Sequence, residues 1–90
     1  MDESIPFEVK YKGKTAILTV SKDAVECKIG NAIAFSINTR SIRIVDIPKR
    51  QNLLLNWQQE GKSIKSISVF SKHVSKIKDA IVLAHNQAIV

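Results

Sequence analysis

The residue types that perform catalysis are present in this sequence, but they do not occur at catalytic spacings. The histidines, His73 and His85, are twelve positions apart, and the adjacent carboxylates Asp2 and Glu3 lie at the start of the chain. A general acid and a general base must both reach one substrate, so this distribution does not favour enzymatic chemistry. Metal-ligand spacings and phosphate-binding glycine motifs are also missing from the sequence. We therefore expect a protein that is not an enzyme and that uses no metal or cofactor.

The single cysteine, Cys27, has no partner for an intrachain disulfide and cannot build a thiolate metal cluster. It alternates with Val25 and Ile29, which places all three side chains on one face of a predicted strand. Because an unpaired cysteine in such a position is usually a small buried apolar residue, we interpret Cys27 as part of the core rather than as a reactive thiol.

The positive charge points to a binding function. The chain has 14 Lys and Arg against 8 Asp and Glu, a net charge of +6, which attracts anionic partners over long range. Many of the lysines cluster beside three predicted turns. These anion- or lipid-binding candidates are Lys10, Lys12, Lys14, Lys28, Lys62 and Lys65. Two interpretations stay open, namely a surface that binds anionic lipid headgroups and a basic surface that is simply hydrated.

A second basic group contains all the arginines. Its members are Arg40, Arg43, Lys49 and Arg50. Together with Tyr11 or Trp57 these side chains could contact nucleic-acid phosphates and bases. However, both aromatic residues lie on the inward phase of predicted strands, which favours core packing over base stacking.

The spacing of apolar residues predicts strands first and one helix last. Between about residues 5 and 70, alternating apolar runs bounded by turn residues predict seven strands. Beyond them, apolar residues recur in steps of three and four at Val74, Ile77, Ile81, Ala84 and Ala88. This stripe predicts an amphipathic helix over about residues 71–87, with Ser71 as its N-cap. The length suffices for one hydrophobic core, so we predict a single domain over residues 1–90.

Local predictions concern individual strands and turns. The fourth strand is expected to direct Ile33, Phe35 and Ile37 inward. The segment 41–47 is rich in β-branched residues on both faces, which predicts a strand covered on both sides or broken by a bulge. Residues 48–52 are expected to form a polar loop. The change of apolar phase between Ile64 and Ile67 predicts a kink in the seventh strand.

Two segments carry a resemblance to a known superfamily. Residues 7–20, FEVKYKGKTAILTV, look like the opening hairpin of pleckstrin-homology-like (PH-like) domains, and Val69-Phe70 with the following helix looks like their last strand and capping helix. The chain is similar in this respect to bacterial PH and GRAM domains, to GLUE domains and to the PH domain of a transcription-factor subunit. The resemblance implies a mainly β fold of seven strands, in a barrel or two near-orthogonal antiparallel sheets capped by a C-terminal α-helix.

The resemblance also implies that the three lysine-rich turns meet at the barrel mouth, where relatives bind phosphoinositide headgroups. In those relatives the second strand carries a basic pair, whereas Thr15–Val20 here contains no basic residue. A lysine acts as a point charge and lacks the bidentate geometry of arginine. The departure argues against tight recognition of one headgroup.

Apolar residues outside the helical stripe suggest an interface. Val82 and Leu83 fall off the stripe, and Ile89 and Val90 follow without a polar cap. They are expected either to bind a partner or to be covered by the barrel mouth or a sheet edge. The favoured function is a non-enzymatic module that docks a protein partner or another copy of the chain. Binding to an anionic membrane surface is the alternative, a nucleic-acid accessory role follows it, and no small-molecule substrate is expected.

The start of the chain and its hydropathy bear on location. Residues 1–4 are acidic rather than basic and apolar as in a secretory signal. Uninterrupted apolar runs stay far below the roughly 20 residues that span a bilayer. We expect a cytoplasmic protein.

Overall fold

The fold consists of seven strands followed by one α-helix, in the order predicted from the sequence. A computed structural model describes residues 4–89 of the chain. Strands β1 to β7 cover Ile5–Tyr11, Lys14–Val20, Ala24–Ile29, Ala32–Asn38, Ile42–Lys49, Asn52–Trp57 and Lys65–Phe70. A 3₁₀ helix, Thr39–Ser41, joins β4 to β5, and helix α1 covers Val74–Ala88. The prediction of a mainly β chain with a C-terminal helix is confirmed.

All neighbouring strands are antiparallel, and they form a single sheet in the order β4-β3-β2-β1-β7-β6-β5. Strands β4 and β5 lie at opposite edges, so the sheet is not closed and the expected barrel is not confirmed. The sheet has two groups of strands, β1–β4 and β5–β7. The β1–β7 pair that joins them consists of one residue pair, Lys10 opposite Phe70. The two groups are therefore connected by a minimal backbone contact.

The core lies between the inward face of the sheet and α1. Inward residues of both strand groups are fully buried, for example Leu18 in β2 and Leu53 in β6, and so are Ile77 and Ile81 of the helix. The helix contacts β2 in the first group and β5 and β6 in the second. Burial of the helical stripe from Val74 to Ala84 confirms the predicted amphipathic pattern.

The predicted inward position of Ile33 in β4 is wrong. Its side chain is 56% exposed, whereas Ile37 is buried and Phe35 is half-buried. The pairing explains the difference, because Cys27 lies opposite Phe35 while the next residue, Lys28, lies opposite Ile33. The extra residue in β4 is a bulge, and it turns Ile33 to the outward face beside Lys28.

Of the two alternatives predicted for residues 41–47, a strand covered on both sides or one broken by a bulge, the structure shows the bulge, but the end of β5 differs from the prediction. Its register with β6 is broken between Ile42 and Ile44 and again between Asp46 and Lys49. The polar loop predicted over residues 48–52 is wrong, because β5 continues to Lys49 and β6 begins at Asn52. Only a two-residue turn remains, and Gln51 adopts a left-handed backbone with φ 61°.

The seventh strand and the helix begin later than predicted. Ile64 precedes β7, which accounts for the change of phase before Ile67. Helix α1 begins at Val74, and its N-cap residue, His73, makes no side-chain capping hydrogen bond. The assignment of Ser71 as N-cap is therefore wrong, although this serine has another structural role.

Ser71 connects three parts of the fold. Its hydroxyl donates to the Glu8 carbonyl oxygen at 2.9 Å and accepts from the His73 N–H at 3.0 Å. Its own N–H donates to the Gln51 carbonyl oxygen at 2.9 Å. These partly buried hydrogen bonds fix the start of the helix segment against β1 and against the β5–β6 turn.

Truncation of the helical stripe should destabilise the protein strongly. We expect Ile77→Ala to lower the free energy of unfolding by about 2–5 kcal/mol, because it opens a cavity at a fully buried site. The matched control Leu83→Ala removes a side chain that is 59% exposed and should change stability by less than about 1 kcal/mol. Urea denaturation followed by circular dichroism measures both values. Equal losses from the two variants would contradict the assigned packing of α1.

Candidate binding surfaces

The outward side of helix α1 carries uncovered apolar side chains. Val82 is 41% exposed, Leu83 59% and Ile89 55%. Two interpretations of these residues followed from the sequence, a partner interface or cover by the barrel mouth or a sheet edge. The structure does not show these three side chains covered. Val90, the fourth member of the predicted interface, lies outside the described residues.

The helical geometry places these side chains on the face opposite the core. At 100° per residue, Val82 and Ile89 nearly coincide, and Leu83 lies about 100° farther round the helix. The exposed polar residue Asn86 lies between them. The core stripe centred on Ile77 and Ile81 occupies the other side of the cylinder. The exposed set is therefore a distinct surface, which we call the α1 outer face and define as Val82, Leu83 and Ile89.

The six candidate lysines are exposed and lie toward one end of the sheet. The β1–β2 turn contains Lys12, and the β3–β4 turn follows Lys28 at the same end of these antiparallel strands. Phe70 ends β7 opposite Lys10, and β7 runs antiparallel to β1. Its first residue, Lys65, therefore lies roughly 17 Å past Lys10 in the direction of the β1–β2 turn, and Lys62 precedes it. We call this arrangement the lysine end, formed by Lys10, Lys12, Lys14, Lys28, Lys62 and Lys65.

The aromatic residues near these lysines belong to the core. The rings of Tyr11 and Phe35 meet edge to face with centroids 5.1 Å apart, and both pack against the buried cluster. Trp57 packs there as well. The prediction that Tyr11 and Trp57 serve core packing is confirmed. Lys12 Nζ lies 5.4 Å from the centre of the Tyr11 ring, a cation–π contact that orients one lysine of the lysine end.

The structure does not bring the arginine group together. Arg40 belongs to the 3₁₀ helix and Arg43 to the start of β5, whereas Lys49 ends that strand and Arg50 follows in the turn. An eight-residue strand extends over more than about 20 Å, so the two pairs lie at opposite ends of β5. One cluster for a nucleic-acid phosphate does not form.

A cleft of about 620 Å³ opens beside the single β1–β7 residue pair. It is lined by Glu8, Val9, Lys10, Gln51, Phe70, Ser71, Lys72 and His73. The Ser71 hydroxyl in this cleft already donates a hydrogen bond to the Glu8 carbonyl oxygen and accepts one from the His73 N–H. Neither in this cleft nor elsewhere in residues 4–89 is a group of three or more His, Cys, Asp or Glu side chains arranged to hold a metal ion.

Cys27 lies in the core, as predicted. Its side chain is fully buried, and burial raises the pKa of the thiol because the charged thiolate would lose its hydration. The thiol therefore stays protonated at neutral pH, and protonated thiols are poor nucleophiles.

A further surface was not identified from the sequence. Strand β6 alternates buried leucines, Leu53 and Leu55, with the outward residues Asn52, Leu54 and Asn56. The alternation itself could be read from the sequence, but the surroundings of the two asparagines depend on the neighbouring strands. The oxygens Asn52 Oδ1 and Asn56 Oδ1 are buried and have no hydrogen-bond partner within the described residues.

Comparison with known proteins does not add a relative. No protein-family model matches the chain, and no curated protein is significantly similar to it. Within residues 4–89, no helix has both the length and the apolar character needed to cross a membrane.

Proposed function

We propose that this chain is a cytoplasmic, non-enzymatic binding module of PH-like architecture that docks a protein partner on the α1 outer face. The carrying observation is the exposure of Val82, Leu83 and Ile89 on a helix whose other side is fully used by the core. The PH-like assignment is supported by the order of seven antiparallel strands and a closing helix. In this proposal, the groups β1–β4 and β5–β7 correspond to the two sheets of that superfamily.

The energetics favour a partner at this surface. Covering a half-exposed leucine or isoleucine contributes about 1–2 kcal/mol, at roughly 25 cal/mol per Å² of apolar surface. Three such side chains around the polar residue Asn86 match the anatomy of a small interface, in which apolar anchors are accompanied by groups that hydrogen-bond. The rigid packing of the helix keeps these anchors in place before binding, which lowers the entropic cost of association.

Site-specific crosslinking tests this docking surface. A photoreactive amino acid at position 83 should capture a defined partner in the native cells, whereas the same group at exposed Ser75, about 12 Å away along the helix, should not. Introducing Ile89→Lys beside the position-83 probe should remove the crosslinked band, because a charge replaces an apolar anchor. Identical crosslink patterns from positions 75 and 83 would contradict the proposal.

A second candidate, binding to an anionic membrane surface, is favoured by the lysine end. Six exposed lysines lie toward one end of the sheet, and each lysine near a negatively charged surface contributes about 1 kcal/mol. Strand β2 offers no basic residue beyond Lys14 at its start. This distribution supports attraction to surface charge in general rather than recognition of one headgroup.

Vesicle co-sedimentation tests the second candidate. The protein should bind phosphatidylserine-containing vesicles at low salt and be released at about 0.5 M salt, where exposed charges are screened. Replacing Lys12, Lys14 and Lys62 by Gln should weaken binding at least about tenfold. The control with Gln at Lys72, Lys76 and Lys78 has the same net charge, so equal loss in both triple variants would show that the lysine end has no special role.

A further inference from the structure

Strand β7 is paired along one edge and largely unpaired along the other. It pairs with β6 over its whole length, from Lys65 to Phe70. Toward β1, the pairing within residues 4–89 is limited to Lys10 opposite Phe70. Counted from that pair, Ser68 lies level with Lys12, which already belongs to the β1–β2 turn. Strand β1 therefore ends before it can pair with the first part of β7.

The direction of one hydrogen bond shows which main-chain groups face this unpaired edge. The Ser71 N–H donates to the Gln51 carbonyl oxygen, on the β6 side. Main-chain groups of successive residues in a strand point to opposite sides, so those of Phe70 point toward β1. By the same alternation, the N–H and C=O groups of Ser66 and Ser68 point away from β6. We call these main-chain groups of Ser66 and Ser68 the β7 edge.

The β7 edge is accessible and held in place before any binding. Ser66 is exposed and Ser68 is half-buried, and the ladder to β6 keeps both residues extended. The connection before β7 is fixed by a turn in which the Lys62 N–H donates to the Gln59 carbonyl oxygen at 3.0 Å. The Gln58 side-chain amide also donates to the Lys62 carbonyl oxygen at 3.0 Å. An added strand would therefore meet an ordered template, which lowers the entropic cost of association.

The other side of the same junction is blocked against strand addition. There the Glu8 carbonyl oxygen of β1 accepts from the Ser71 hydroxyl at 2.9 Å. Pro6, two residues earlier and on the same side, has no N–H to donate. Natural sheets block unpaired edges in such ways because an open edge pairs with other chains. The sequence from Ser66 to Ser68 contains neither a proline nor a charged residue, so the β7 edge lacks this protection.

A group of lysines surrounds the β7 edge and indicates the chemistry of its partner. Two lie in or beside the β1–β2 turn and two at the start of β7 and in the connection before it. They are Lys12, Lys14, Lys62 and Lys65. Residues 12–14 and 58–65 contain one acidic residue, Glu60, so four positive charges and one negative charge leave +3. The edge strand β4 has no comparable group, and a bulge interrupts it opposite Lys28.

We propose that the β7 edge binds an extended, acidic segment of a partner protein as an added strand in line with β1. The alternating donors and acceptors of Ser66 and Ser68 match a peptide backbone, whereas a lipid headgroup offers no such alternation. The surrounding lysines attract carboxylates on the segment and steer its approach. This site shares no residue with the α1 outer face, so the two surfaces can be occupied independently.

Amide hydrogen exchange of the wild-type chain tests the open edge without any variant. The N–H groups of Ile67 and Val69 face β6 and should be protected, whereas those of Ser66 and Ser68 should exchange at least about tenfold faster. The probe ligand is a short acetylated and amidated peptide of alternating glutamate and valine. Its addition should slow exchange at Ser66 and Ser68. Full protection of these two amides in the free chain, or no slowing by the bound probe, would overturn the proposal.

Fluorescence anisotropy of the labelled probe separates strand pairing from plain charge attraction. The probe should bind at low salt, and a peptide of alternating lysine and valine should not. Two further probes carry N-methyl groups on every glutamate or on every valine. Only one of these phases faces β7, so one version should bind at least about tenfold more weakly and the other within about threefold of the parent. Equal affinities of the two methylated versions would mean that no strand is added.

Two matched proline variants locate the binding to β7. Ser66 and Ser36 are both exposed serines on unpaired strand edges, and the Ser66 N–H is not used in the ladder to β6. Ser66→Pro should raise the dissociation constant of the probe at least about tenfold, and Ser36→Pro should change it less than about twofold. Equal effects of the two variants would overturn the proposal. Binding of phosphatidylserine vesicles without any binding of the probe would also overturn it and assign the lysines to a membrane. Crosslinking at position 83 is read separately, so either docking proposal can fail alone.

Discussion

The burial of one side of helix α1 against the sheet is the interaction on which the rest of this structure depends. Within residues 4–89, the strand groups β1–β4 and β5–β7 share only the Lys10–Phe70 pair, so strand pairing by itself holds them together weakly. Ile77 and Ile81 fill the space against both groups and remove the apolar inward faces from water. Ser71 adds the polar part of the same junction, because it hydrogen-bonds β1, the β5–β6 turn and the start of the helix segment.

This construction determines which surfaces remain for binding. The inward side of the sheet and the apolar stripe of α1 are buried in the core. The surfaces that remain accessible to a partner are the other side of the helix, one end of the sheet and the outward faces of the strands. The α1 outer face and the lysine end share no residue, and they differ in chemistry, since one is apolar and the other basic. A small domain of this design can present several independent contacts, because its hairpin connections gather polar residues at the sheet end while the strands expose alternate side chains.

The sequence predicted those features that depend on periodicity. The helical stripe from Val74 and the alternation around Leu53 follow directly from burial on one face, and both were correct. Ile33 was misplaced because a bulge in β4 changes the phase of the strand, and nothing in the local pattern distinguishes a bulged from a regular strand. Ser71 looked like a helix cap, but its hydroxyl accepts from the residue before the helix.

The candidate surfaces were predictable to different degrees. Residues off the helical stripe, such as Leu83, could be identified as exposed from helix geometry alone. The separation of Arg43 from Arg50 follows from the length of β5, which continues to Lys49 into the segment where a polar loop is predicted. The burial of the Asn52 and Asn56 oxygens, which have no hydrogen-bond partner among residues 4–89, depends on side chains from neighbouring strands, so no sequence pattern could reveal it.

Native-state hydrogen exchange of the wild type is the most direct test of the role assigned to α1. If the helix and both strand groups form one cooperative core, amides around Ile77 and Ile81 should exchange with the same opening free energy as those of the buried strand residues, Leu18 in β2 and Leu55 in β6. This opening free energy should decrease with urea concentration at the same slope as the free energy of global unfolding. Helix amides that open at clearly lower free energy, with little dependence on urea, would show that α1 detaches while the sheet persists and would contradict this account.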